Sequence, residues 1–130
     1  MAAAQEWYEL RNLCRGKKFE EAAVLLQKNP SLRNAVNGIG ETVLHYLAVE
    51  NDQEGISWLV KNGFDINTQN EFVTPAIFEV AQLDYKELLA WFIANGANLK
   101  CRDKAGNNIK EFIVDFGNEK MVKHLESLGL

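Results

Sequence analysis

Three glycines recur at an interval of 33 residues, at Gly63, Gly96 and Gly129. Each one follows an apolar stretch of helical character, in WLVKNG, WFIANG and HLESLG. Glycine in this place commonly ends a helix by adopting a left-handed conformation. A fixed period of roughly 20–50 residues is the signature of a chain built from repeated, stacked units. This interval therefore constrains the fold of the 130-residue chain more than any other feature.

Apolar side chains keep the same interval in successive units. The positions that stay apolar are Ile56, Leu89 and Val122, then Leu59, Phe92 and Leu125, then Ala48, Ala81 and Val114. Between the two apolar segments of each unit, the interval places Asn51, Asp84 and Gly117. These residue types adopt positive φ most readily. Each unit is therefore predicted to be two short antiparallel helices joined by a tight left-handed turn.

The second unit shows the helical pattern most clearly. An apolar stripe runs from Val43 to about Glu50, and another runs from Asp52 to Asn62. A single helical hairpin cannot bury its apolar face alone, so the units must stack side by side. The sequence predicts an all-α solenoid of stacked helix-turn-helix units with short finger turns. One domain spans residues 1–130, with units at about 5–34, 37–69, 70–102 and 103–130.

Residues 37–69 resemble an ankyrin repeat. The stretch TVLHYLA at 42–48 and the ending GFDIN at 63–67 match the pattern of that family, with valine in the place of the usual proline. The third unit departs further, because Phe78 stands at the histidine place and Val73 stands where the finger-turn glycine is expected. The resemblance covers almost the whole chain, and it implies a stacked ankyrin-like array.

The resemblance also assigns roles to two polar residues, Thr42 and His45. In ankyrin repeats, these residues typically make local hydrogen bonds at the helix start and between neighbouring finger turns. His45 is therefore expected to be structural. A catalytic interpretation would require a partner, and the other histidine, His124, is far away in the last unit.

Other residue groups resemble parts of catalytic or ligand sites, and each has a simpler structural interpretation. Gly38-Ile39-Gly40 begins like a dinucleotide-binding loop but lacks the third glycine and follows no clear strand. Cys14 lies inside an apolar helical pattern, which indicates a buried thiol. Acidic pairs such as Glu20-Glu21 indicate solvated helix faces. The sequence therefore predicts no catalytic residue, no cofactor and no metal site.

Composition and charge narrow the classes of partner. The net charge is −4, and residues 35–68 carry one lysine against five acidic residues. This balance argues against nucleic acid and against an anionic membrane surface, and it favours a protein partner with a basic patch. The chain has no signal-like start and no apolar run of about 18 residues, so a cytoplasmic location is expected. Two cysteines suit a reducing compartment.

The resemblance implies a binding surface in place of an active site. Ankyrin arrays commonly bind proteins through the finger tips and the exposed side of each first helix, which form the concave face. Carried over position by position, the expected partner-binding residues are Ile39, Glu41, Val49, Glu50, Glu71, Phe72, Thr74, Gln82, Leu83, Lys104, Asn107, Asp115 and Phe116. The apolar residues expected to form one line of anchors are Ile39, Phe72, Leu83 and Phe116. The alternative is that they tuck into irregular finger turns, above all next to Val73.

The expected function is a non-enzymatic protein-interaction module that acts as a monomer. A short array of this kind favours a stand-alone inhibitor, and similar small ankyrin-like proteins in bacteria act as immunity proteins that neutralise a toxin. One alternative is a passive adaptor that joins two proteins. Another, from a different class, is a small hydrolase or nucleotide-binding enzyme that uses His45, Cys14 or the turn at 38–40.

Overall fold

A computed structural model describes the chain from residue 2 to residue 130, with side chains described from residue 5 onward. Its helices are α1 (Ala2–Arg15), α2 (Phe19–Lys28), α3 (Val43–Val49), α4 (Gln53–Lys61), α5 (Ala76–Gln82), α6 (Lys86–Ala94), α7 (Ile109–Asp115) and α8 (Glu119–Ser127). A 3-10 turn, Pro30–Arg33, follows α2. The helices form consecutive antiparallel pairs, which confirms the predicted all-α solenoid. Within residues 2–130, every helix is too short or too polar to cross a membrane.

Each helix pair is joined by a tight turn that contains one left-handed residue. The values of φ are 60° at Asn51, 62° at Asp84 and 73° at Gly117, as the 33-residue interval predicts. Lys17 is the counterpart in the first pair, with φ of 60°. Because a single left-handed residue reverses the chain at the same place in every pair, successive pairs repeat one geometry.

The segments between pairs form three equivalent finger turns. Each finger begins with Asn37, Asn70 or Asp103, whose side-chain oxygen accepts the backbone N–H four residues later at 2.9, 3.2 and 2.9 Å. Glycine takes the left-handed position of the first and third fingers, and Val73 takes it in the second with φ of 59°. The alternative of an irregular finger at Val73 is not what the structure shows, because the Asn70 side chain closes this turn in the same way.

The pairs stack through their inner helices, with α1 against α3, α3 against α5, and α5 against α7. One continuous core follows the stack, and the repeated positions Ala48, Ala81, Ile56 and Leu89 are fully buried in it. Their counterpart Val114 lies on α7, the last inner helix described, and is 56% exposed. The stack therefore holds the inner helices and the fingers in a regular row.

Candidate functional site

The partner-binding residues predicted from the sequence lie on the fingers and on the inner helices, and they differ in exposure. Those with exposed side chains are Ile39, Glu50, Glu71, Phe72, Leu83, Lys104, Asp115 and Phe116. Those that are half-buried are Val49, Thr74, Gln82 and Asn107. Glu41 is buried. Binding by any of these residues remains a prediction.

The apolar members of this set form two rows, whereas the sequence predicted a single line. Ile39 and Phe72 occupy equivalent finger tips and are 47% and 59% exposed. Leu83 and Phe116 follow the last residues of α5 and α7 and are 37% and 56% exposed. An inner helix of seven residues, about 10 Å long, separates the rows. We call these four residues together with Glu71 the two-row surface.

The exposure of all four apolar residues contradicts the alternative in which they tuck into irregular finger turns. The regular closure of the fingers explains this outcome for Ile39 and Phe72, whereas Leu83 and Phe116 lie outside the fingers, at the ends of α5 and α7. In the second finger, the backbone N–H of Phe72 donates to the Asn70 side chain at 2.9 Å. This bond holds the backbone of the tip in place, so the Phe72 ring extends into solvent.

Phe116 packs against a row of aromatic rings that extends from the core to the surface. The ring centroid of buried Phe78 lies 5.2 Å from that of half-buried Phe112. The centroid of Phe112 in turn lies 4.9 Å from that of Phe116. Phe112 and Phe116 are four residues apart, so they meet on one face of α7 and its end. The sequence analysis missed Phe112, although this spacing signals the contact. The packing orients Phe116 before any partner arrives.

The acidic side chains near the two rows differ in whether a cationic side chain of the protein already pairs with them. Oε1 of Glu50 lies 3.5 Å from Nη2 of Arg15 in an exposed ion pair. Such pairs contribute little to stability because water screens the charges. In the described part of the chain, no lysine or arginine nitrogen lies within 4.0 Å of Glu71. Glu71, the residue before Phe72, therefore offers an exposed carboxylate with no lysine or arginine partner among the described residues.

The expectation that Glu41 faces a partner is wrong. Its side chain turns inward, where Oε1 accepts a hydrogen bond from Asn37 Nδ2 at 3.0 Å. The finger closure explains this position, because Asn37 also binds the backbone N–H of Glu41. The inward carboxylate approaches His45, with its Oε2 3.7 Å from Nε2 of the imidazole.

His45 is fully buried at the start of α3. Its backbone N–H donates to Thr42 Oγ1 at 3.3 Å, which confirms the expected capping role of Thr42. The imidazole Nε2 lies 2.8 Å from Oε2 of Glu79 on α5, the inner helix of the next pair. Within the described residues, Nδ1 has no hydrogen-bond partner. Sequence reasoning considered a second histidine and Cys14 as partners and missed both carboxylates. Glu41 is only four residues before His45, so its spacing was a usable signal, whereas Glu79 lies in the next unit, 34 residues away.

Cys14, the candidate nucleophile, is buried and protonated. Burial is the main cause that raises the pKa of the Cys14 thiol to about 12. The negative charge of Asp52 raises this pKa further, and the positive charge of Lys17 lowers it. A thiol must lose its proton to act as a nucleophile. The other candidate, Gly38-Ile39-Gly40, forms the tip of the first finger. Neither group has the arrangement that its proposed chemistry requires.

The repeated helix pairs, left-handed turns and Asn/Asp-closed fingers define the architecture of the chain. A family model described as "Ankyrin repeats (many copies)" matches residues 44–84, which run from α3 to the turn after α5. The chain is an ankyrin-repeat protein. Ankyrin repeats are protein-protein interaction modules, and this sets the general class of function.

Two plant proteins are similar to this ankyrin-repeat chain. E3 ubiquitin-protein ligase XBAT32 of Arabidopsis thaliana is 34% identical over 95 residues. Probable E3 ubiquitin-protein ligase XBOS32 of Oryza sativa subsp. japonica is 30% identical over 95 residues. Each alignment covers 72% of this chain and 19% of the relative. The chain therefore spans about a fifth of the length of these curated relatives.

Proposed function

We propose that this ankyrin-repeat protein binds one protein partner through the two-row surface, and that the partner presents apolar side chains beside a basic one. The observation that carries the proposal is the exposure of Phe72 and Phe116, each more than half accessible at a fixed place in the repeat. Aromatic side chains are enriched among the residues that dominate interface energies, because they bury much area at little entropic cost.

Charge supports a partner with a basic group near the second finger. Glu71 is exposed beside Phe72 and has no cationic neighbour in the described residues. A lysine or arginine of the partner would pair with it at the rim of the interface. Rim charges mainly raise the rate of association, so binding should weaken as salt increases.

We also propose that the chain is a monomeric, cytoplasmic, non-enzymatic inhibitor, with the passive adaptor as the competing possibility. The protonated Cys14 thiol and the fully buried His45 support a function without catalysis. The printed names of both relatives describe ubiquitin ligases, and we propose that the shared 95 residues serve recognition in this chain. The toxin-neutralising role is the narrower form of this inhibitor, and it requires that the captured partner be a toxin.

The test is affinity capture from cells of the source organism with the wild-type chain and matched variants. Phe72→Ala and Glu71→Lys change the two-row surface, whereas Val24→Ala and Glu20→Lys change exposed residues of the outer helix α2. A partner that is captured in stoichiometric amount by the wild type and both α2 variants, but lost with both surface variants, would support the proposal. Equal capture by all five proteins would refute the assigned surface.

Titration of the purified partner then measures the contributions separately. We expect Phe72→Ala to weaken binding by about 2 kcal/mol, and Glu71→Lys to reduce mainly the association rate at low salt. The mass of the complex by light scattering distinguishes the two modes of action. One partner per chain supports the inhibitor, and two different partners bound together support the adaptor.

A further inference from the structure

A buried cluster of three side chains lies where the second and third units meet. Glu41 belongs to the first finger, His45 to α3 and Glu79 to α5, and one ligand atom of each lies within 4.8 Å of the other two. The side chains of His45 and Glu41 are 0% and 8% exposed, and that of Glu79 is 24% exposed. The cluster is thus enclosed on most sides and reaches solvent at Glu79.

The charges of this cluster are not balanced by the protein. Two carboxylates share one imidazole, and no lysine or arginine nitrogen lies within 4.0 Å of either carboxylate among the described residues. Only Glu79 is within hydrogen-bond distance of Nε2, because Oε2 of Glu41 is 3.7 Å away. Buried carboxylates are normally paired with cations or coordinate metal ions, because their desolvation is costly. One imidazole cannot compensate the charge of two carboxylates.

We propose that Glu41, His45 and Glu79 bind a divalent transition-metal ion, with Zn²⁺ as the ion that suits them best. Imidazole nitrogen and carboxylate oxygen both bind zinc, and three protein ligands with a fourth position left to water are typical of open zinc sites. The 24% exposed side of Glu79 supplies access for the ion and for that water. The ion would neutralise both carboxylates and link the first finger and α3 to α5.

The two distances from Nε2 of His45 require only small side-chain movements, and the ligand oxygens of Glu41 and Glu79 lie within 4.8 Å of each other. Tetrahedral zinc with ligands at about 2.0–2.2 Å holds neighbouring ligand atoms about 3.3 Å apart. Glu41 Oε2 and His45 Nε2 are 3.7 Å apart, so they would move closer by a few tenths of an ångström. The 2.8 Å contact between Nε2 and Glu79 would lengthen by a similar amount. The Asn37 amide, which donates to Oε1 of Glu41, already orients that carboxylate.

Zinc binding would also change the tautomer of His45. Without metal, the 2.8 Å contact with the Glu79 carboxylate places the imidazole proton on Nε2. A zinc ion needs the lone pair of that nitrogen, so Nε2 must lose its proton. The metal-bound ring then carries its proton on Nδ1, which has no hydrogen-bond partner among the described residues. This switch is a signature that loose surface binding would not produce.

The experiment uses the full chain after removal of metal with a chelator. We expect calorimetric titration with Zn²⁺ to show one saturable site, and thermal unfolding to shift to higher temperature with Zn²⁺ concentration. Nitrogen-15 NMR of the histidine side chains should show His45 changing from the Nε2–H to the Nδ1–H tautomer. Because this readout uses the wild-type chain, it does not depend on any variant folding.

Glu79→Gln is the matched variant, because glutamine keeps an oxygen that can accept from Nε2 while it removes the charge. We expect its affinity for Zn²⁺ to fall at least about tenfold, the smallest loss typical when even a residue that only orients a ligand is removed. His124→Gln removes the other histidine and should leave the affinity unchanged. The proposal is overturned by no saturable binding below about 1 mM, by equal affinity in Glu79→Gln, by loss of binding in His124→Gln, or by an unchanged His45 tautomer in the presence of Zn²⁺.

Discussion

The hydroxyl of Tyr85 donates a hydrogen bond to the backbone carbonyl of Val49 at 2.9 Å. Val49 is the last residue of α3, and carbonyls at the end of a helix lack a partner within that helix. Tyr85 immediately precedes α6, so the bond joins the end of one inner helix to the outer helix of the next unit. A side chain in one unit thus completes the hydrogen bonding of its neighbour.

Tyr85→Phe should lower the free energy of unfolding by about 1 kcal/mol, the usual contribution of one hydrogen bond, because the ring packing is kept and only the bond is lost. Tyr8→Phe is the control, because Tyr8 is exposed on α1. The free energy of unfolding of this variant should stay close to that of the wild type. Urea unfolding of the three proteins measures the difference. Equal stability of Tyr85→Phe and wild type would show that the bond does not stabilise the stack.

Gly40→Ala should destabilise the chain more than Gly106→Ala. Both glycines are left-handed, with φ of 75° and 85°, so both variants suffer the same kind of backbone strain. A Cβ at Gly40 would lie 2.5 Å from the backbone nitrogen of Glu71 in the next finger, whereas a Cβ at Gly106 meets open space. We expect a loss of about 1 kcal/mol for Gly106→Ala and at least about 1 kcal/mol more for Gly40→Ala. Chemical denaturation measures both free energies of unfolding. Equal losses in the two variants would contradict the close packing of the fingers.

Val73→Gly should stabilise the fold slightly, by about 0.5–1 kcal/mol. A left-handed conformation costs a residue with a Cβ about 1–2 kcal/mol, and glycine avoids this cost but loses about 0.5–1 kcal/mol through its greater freedom in the unfolded chain. Asn51→Gly is the control at φ of 60°, because asparagine already tolerates this region. A lower melting temperature for Val73→Gly would mean that the packing of the valine side chain outweighs the strain.

The two cysteines should react with alkylating reagents in a fixed order. Burial raises the pKa of both thiols, to about 12 for Cys14, but Cys101 is only half-buried and its own backbone hydrogen bond opposes the shift. Because only the accessible thiolate reacts, Cys101 should be labelled first in the native chain. In urea, both should react at similar rates. Mass spectrometry of the labelled peptides resolves the order, and faster labelling of native Cys14 would contradict its burial.

The same shift predicts a loss of stability at high pH. In the unfolded chain, the Cys14 thiol loses its proton near its ordinary pKa of 9.0, whereas in the folded chain the pKa is about 12. The unfolded state therefore binds fewer protons between these values, and the free energy of unfolding falls as pH rises from about 9 toward 12. Other groups also titrate in this range, so Cys14→Ala is the necessary comparison. Its stability should fall less steeply with pH than that of the wild type.

Local sequence signals predicted the repeated backbone accurately. Asn51 and Asp84 adopt left-handed conformations because these residue types tolerate them and the 33-residue interval marks the place. The helices of the second unit followed from their apolar stripes. The exposure of Phe72 was more difficult to predict, because Val73 argued against a regular finger. The hydrogen bonds to the Asn70 side chain keep this finger regular.

The sequence by itself determined the period, the helix pairs and the family, because each depends on residues close together in the chain. Only the tertiary structure decided which polar groups meet. Glu41 is four residues before His45 and turns inward through the closure of its finger, whereas the contact of His45 with Glu79 joins two stacked helices. This last contact depends on the distance and rotation between stacked helices, and no local periodicity encodes these quantities. For the same reason, the four predicted apolar anchors separated into two rows at opposite ends of the inner helices.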